Sequence, residues 1–154
     1  MENINMSTDL IFNKIAEQKD VKNVDVACAV IIKNNTVFCC KRGHGRSLEG
    51  KWEFPGGKIE KGELGHEALI REIEEELKSE IKVNCRLGRI EHTYTAEKLN
   101  IKMQAYECEL LSGNLELTEH TDSKWLTVDE LDSVDWADAD KPIVEIVRKR
   151  FAEQ

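Results

Sequence analysis

Apolar residues along this chain recur with strand and helix spacings, and the two alternate from one end to the other. Val24 to Ile32 (VDVACAVII) reads as a strand, Asn34-Asn35 as a turn, and Thr36 to Cys40 (TVFCC) as a second strand. Arg42 to Gly50 is a loop rich in glycine and cations. Leu69, Ile73 and Leu77 then fall at i, i+4 and i+8, an apolar helical stripe with Ile70 on its flank. Further strands are predicted over Ile81–Val83, Leu87–Tyr94, Ile101–Leu111 and Ser123–Leu126. Thr127 with Glu130 three residues on marks the start of a short helix. A last helix is predicted over Lys141–Phe151, with Pro142 in its first turn and Ile143, Ile146, Val147 and Phe151 facing inward. Residues 1–23 are polar and weakly patterned; Leu10-Ile11, Ile15 and Ala16 allow one short amphipathic helix. The expectation is an N-terminal extension, 1–23, followed by one domain, 24–154. Mixed strands with helices at the start, middle and end predict an α/β fold, an α/β/α sandwich around a mixed central sheet.

Composition narrows the class. A length of 154 residues suits one domain with a real core. The net charge of −8 and pI near 5.1 argue against an extended nucleic-acid surface, which needs clustered Lys and Arg. Five cysteines, odd in number and without CxxC spacing, are expected to be free thiols, Cys28 and Cys39 buried in apolar runs. No signal-peptide core and no membrane-length apolar run is present, so a cytoplasmic location without membrane partners is expected.

The candidate chemistry lies between Gly57 and Glu76. Glu72, Glu75 and Glu76 stand at i, i+3 and i+4 and share one helix edge, beside the apolar stripe where a helix meets its sheet. Crowded like charges cost stability unless a hard divalent cation takes their oxygens. The bland alternative is a solvated acidic helix. Glu67 and Glu74 fall on the far side as ordinary solvent charges. Upstream, Trp52 to Gly57 places aromatic bulk before a glycine turn, and Glu63 sits near the helix N-terminus.

Gly57, Glu63 and Arg71-Glu72-Ile73-Glu74-Glu75-Glu76 together resemble the Nudix box, G-x5-E-x7-R-E-U-x-E-E-x-G-U with U aliphatic. Lys51 to Glu60 (KWEFPGGKIE) is especially similar to MutT-type nucleoside triphosphate pyrophosphohydrolases, and the likeness runs from about Val24 to the C-terminus. The resemblance implies a Nudix-type sandwich. It also implies metal-dependent hydrolysis of a nucleoside triphosphate, an oxidised or modified one included, to monophosphate and pyrophosphate. Mg²⁺ or Mn²⁺ would be held by Glu72, Glu75 and Glu76 with the Gly56 carbonyl. Glu63 and Arg71 would keep loop and helix in register, Arg71 pairing with Glu67 or Glu75. One departure is plain: the closing Gly-aliphatic pair is Lys78-Ser79 here, so the helix is expected to run on or end irregularly.

Other residues carry two readings each. Glu119 resembles the extra metal-cluster glutamate of a distant loop, or is a plain loop acid. Arg42 meets a triphosphate or base, or is a solvated loop cation. Phe54 is core or the floor under a base. Asp140 reads a base edge or caps the last helix. His66 and His120 read as surface residues rather than Mg²⁺ ligands. The family's markers for ADP-ribose and dinucleoside polyphosphate substrates are missing at Tyr94 and Ala96. The ending Trp136 to Pro142 (WADADKP) resembles MutT-like enzymes acting on oxidised guanine nucleotides and relatives acting on cytidine or modified pyrimidine nucleotides; a monomer or homodimer is expected. Hydrolysis of another nucleoside diphosphate-linked compound, or nucleotide binding without turnover, is the alternative.

Overall fold

The computed structural model describes residues 20–153. In chain order it contains β1 (Lys22–Lys33), β2 (Thr36–Arg42), β3 (Trp52–Glu53), β4 (Gly56–Lys58), α1 (Gly65–Leu77), β5 (Glu80–Tyr94), β6 (Leu99–Ser112) and β7 (His120–Leu126). A 3-10 helix (Val128–Ser133) and α2 (Lys141–Ala152) follow. The predicted N-terminal helix lies outside the described residues. β1 opens at Lys22, two residues before the expected domain boundary.

The sheet is mixed. β1 runs parallel to β6 over ten register pairs, from Lys22↔Leu99 to Ile31↔Cys108. β5 lies antiparallel on the outer side of β6. On its other edge β1 pairs antiparallel first with β4 and then, at its end, with β2. β2 carries β3 and β7. Burial on both faces explains the nearly unbroken apolar run in β1. Ala27, Ala29 and Ile31 point to one side, with Phe38 and Cys40 of β2, and pack with Leu69, Ile73 and Leu77 of α1. Cys28 and Val30 point to the other, with Val37 and Cys39, and pack with Ile143, Val144 and Val147 of α2. A helix against each face gives the expected α/β/α sandwich.

Two expectations are corrected. The strands predicted over Ile81–Val83 and Leu87–Tyr94 are one strand, β5, whose register against β6 shifts near Glu80, between Val83 and Cys85, and between Arg86 and Gly88. Such bulges break the alternation that marks a strand in sequence. The end of α1 is regular despite the missing glycine. Lys78 adopts the left-handed conformation (φ 51°, ψ 40°) and donates its N–H to the Glu74 carbonyl. Buried Ser79 then secures the exit: its hydroxyl donates to the Leu77 carbonyl at 2.9 Å and accepts from Leu115 N at 2.8 Å.

Candidate active site

Arg71 organises the inner edge of α1. Its Nε and Nη2 grip both oxygens of Glu63 at 2.8 and 2.9 Å, a bidentate pair. Nη1 reaches Glu72 at 2.9 Å and Glu75 at 3.2 Å, and Nη2 also donates to the Lys58 carbonyl at 3.1 Å. Glu63 in turn accepts from Glu60 N at 2.8 Å. The Arg71 bond, joined by that backbone N–H, holds Glu63 at a pKa of about 2. One guanidinium thus fastens the glycine turn to the helix. Of the two partners expected for Arg71, Glu75 is found; Glu67 instead accepts from Leu64 N at the helix start. Gly57 is required by contact rather than by φ, since a Cβ there would lie 2.4 Å from the Glu72 carboxyl carbon.

Glu72, Glu76 and Glu119 converge on a cavity of about 550 Å³, which Gly56 also lines. Burial, then the charges of Glu119 and Glu72, push the Glu76 carboxyl up to about 9. The cation beside this cluster that meets Glu119 is Arg46, at 3.2 Å and half exposed. A half-buried group of carboxylates short of positive charge is the donor set a hard divalent ion takes, so these residues fit Mg²⁺ or Mn²⁺. Glu75 stands apart, largely exposed and facing Arg71. Gly43 lets the distant loop come close, because a Cβ there would lie 2.7 Å from the Glu119 carbonyl.

Part of the cavity wall is apolar, formed by buried Cys28, Phe54, Tyr94 and Met103 with half-buried Val26 and Ile101. Phe54 belongs to the core and to the cavity wall at once: it stacks on Trp136 with centroids 4.7 Å apart. Asp140 precedes α2 but makes no side-chain cap. Its Oδ2 accepts from Phe54 N at 2.9 Å. Burial and then the charge of Glu53 push its carboxyl well above the usual range. Among the described residues Oδ1 has no hydrogen-bond partner, and Asp140 lines the cavity. The capping account of Asp140 therefore fails on geometry. The Tyr94 hydroxyl, accepting from Ala139 N at 2.7 Å, braces the same segment.

Sequence reasoning missed one group. Glu53 lies between Arg42 and His120: Arg42 Nη1 donates to Oε1 at 2.9 Å, and His120 Nε2 meets Oε2 at 2.9 Å. Burial alone would raise the Glu53 pKa, but the His120 hydrogen bond and the Arg42 charge outweigh it and hold the group below its ordinary value. His120 was expected at the surface and is not there; its side chain is only 7% exposed. A register shift at Lys41/Arg42 brings His120, not Thr121, opposite Arg42. Bulges re-aim side chains in this way beside active sites, and no local sequence signal announces one. Cys40, Glu53 and His120 offer ligand-type atoms within 4.8 Å of one another. Arg42 already neutralises Glu53 there, however, and both carboxylate oxygens are engaged. A second cation would have to displace a buried ion pair.

His66 and Glu74 are exposed, as expected. All five cysteines are unpaired, with Cys85 exposed and the rest buried. Among the described residues no helix is long and apolar enough to cross a membrane.

Comparison with known proteins bears on this geometry. The family model for the NUDIX domain matches residues 27–145. The chain is 34% identical over 119 residues to a Mycobacterium tuberculosis protein provisionally named 8-oxo-dGTP diphosphatase 2, covering 77% of this chain and 84% of that one. It is 30% identical over 125 residues to the CTP pyrophosphohydrolase of Escherichia coli, covering 81% and 91%. The solution structure of the DNA mismatch repair protein MutT, a Nudix hydrolase from methicillin-resistant Staphylococcus aureus 252, superposes with a TM-score of 0.69. Its identity is 38%, over 84% of this chain and 98% of that one.

Proposed function

The chain belongs to the Nudix hydrolase family as a MutT-like pyrophosphohydrolase, and on that premise we propose that it converts a nucleoside triphosphate, oxidised or modified bases included, to monophosphate and pyrophosphate. The observation that carries this reading is one cavity joining a carboxylate cluster to an apolar slot bounded by Phe54 and Asp140. A phosphate chain would meet the carboxylates and a base the apolar part of the same cavity wall. The relatives named for 8-oxo-dGTP and for CTP support the substrate class.

Glu72, Glu76 and Glu119, with Gly56, would hold Mg²⁺ or Mn²⁺, and Glu75 would join them on leaving Arg71. A divalent ion bound there would supply charge neutralisation for the phosphate chain and lower the pKa of water. Glu63 and Arg71 hold the turn against the helix, so that Gly57 and Glu72 keep their close contact. Phe54 offers a flat face to the base, and Asp140 presents Oδ1 to its edge. Deep burial of that slot selects by hydrogen bonding, because an unpaired polar group there costs about 1–3 kcal/mol.

A panel of 8-oxo-dGTP, dGTP, CTP, dCTP and ATP with Mg²⁺, scoring pyrophosphate and phosphate separately, tests the reading. Pyrophosphate release with a clear preference is expected. Phosphate release alone, or binding without turnover, would overturn it.

A further inference from the structure

His120 has a place in this architecture that a core histidine does not need. The β7 bulge turns it inward, onto the β2 face that carries Arg42 and Cys40, and directly after Glu119. From there a buried chain runs across three strands. His120 Nε2 meets Glu53 Oε2, and Glu53 Oε1 accepts from Arg42 Nη1. Arg42 Nε donates to the Ser47 carbonyl at 2.7 Å inside the loop that walls the cavity mouth. A carboxylate only accepts, so the Nε2–H donates to Glu53 and Nδ1 is the ring nitrogen left over. That Nδ1 is buried without any partner. Among the described residues, Arg42 Nη2 makes no hydrogen bond, and Arg42 lines the cavity.

We propose that His120 is a positioning residue for nucleotide binding: through Glu53 it fixes the Arg42 guanidinium so that Nη2 faces an oxygen of the bound nucleotide. The proposal rests on the pyrophosphohydrolase reading above. Three groups in series leave Arg42 one orientation, which lowers the ordering cost when substrate arrives. Glu53 alone would hold Nη1 but could swing about its own χ angles; the second anchor at Oε2 removes that freedom. Because the chain touches substrate and not the carboxylate cluster, its effect falls on KM.

The test uses the full chain with Mg²⁺ and the best nucleotide of the panel. His120→Leu should raise KM about tenfold and change kcat less than about threefold, the signature of lost ground-state binding. His120→Gln, whose amide still reaches Glu53, should keep KM within about threefold of wild type. His120→Asn, too short to reach, should behave as the Leu variant does, and it keeps the test open if Leu does not fold. Arg42→Met should raise KM similarly, and the double variant should be no worse than Arg42→Met alone, since both act through one contact. Additive losses, a fall in kcat that matches the rise in KM, or a Gln variant as weak as Asn would each overturn the proposal. An inactive wild type would instead refute the reading on which it stands.

Discussion

At the residue scale the carboxylates of α1 divide by angle, and activity should divide the same way. Glu74 points to solvent, Glu75 to Arg71, and Glu72 and Glu76 into the cavity. Glu76→Gln removes an acid from the crowded centre of the cluster, beside Glu72 and Glu119. Loss of several kcal/mol of charge stabilisation corresponds to a fall in kcat of about 100-fold or more. Glu74→Gln should stay within about twofold, and both variants should melt as cooperatively as wild type. Comparable losses at the two positions would mean that the cavity is not where the reaction occurs. The shared direction of Glu72 and Glu76 was legible from spacing because a helix brings i and i+4 to one edge, whereas Glu75 at i+3 turns to Arg71. Asp140 and His120 were not legible in the same way. Their placements depend on partners 86 and 67 residues away, Phe54 and Glu53, that no local pattern connects.

At the element scale the long periodic segments were readable, and the interruptions were not. The α1 stripe, the β1 run and the α2 face follow from their periods. β3 and β4 did not stand out, because two or three residues are too short to show alternation. Their pairing rests on tertiary bonds such as Trp52 N to the Asp135 carbonyl at 2.9 Å. The C-terminus of α1 offers a direct test of a local rule. Lys78 holds φ 51°, a region that favours glycine by about 1 kcal/mol. Its side chain is exposed, so nothing packed is lost on removal. Lys78→Gly should therefore stabilise the protein by about 0.5–1 kcal/mol, the favourable lysine charge at the helix end offsetting part of the gain. For this size of domain the melting temperature should rise by about 1–4 °C, read by calorimetry. A lower melting temperature would show that the lysine does more at that corner than close the helix.

At the scale of the whole molecule, an acidic chain of net charge −8 gathers some of its carboxylates into one place, and stability should register that choice. Glu76 keeps its proton in the folded state up to about pH 9, against an ordinary carboxyl value of 4.5. Between those values the folded protein binds more protons than the unfolded chain, so stability falls as pH rises through this window. Glu63 has the opposite sign. Its depressed pKa gives stability that is present above about 4.5 and is lost as pH falls towards 2. Of these two it is Glu76 that acts across neutral pH, with the same sign as buried Asp140, whose carboxyl is also raised; Glu76 is partly solvated, so its share of the slope is modest. In EDTA the melting temperature should decline from pH 6 to pH 9, and Glu76→Gln should flatten that decline because it cannot ionise. Mg²⁺ held by the ionised cluster would compete with the proton, so the rise in melting temperature on adding it should grow over the same range. The growth should vanish in Glu76→Gln. An Mg²⁺ effect independent of pH, and equal in both proteins, would place the ion away from Glu76 and separate the carboxylate cluster from the chemistry assigned to it.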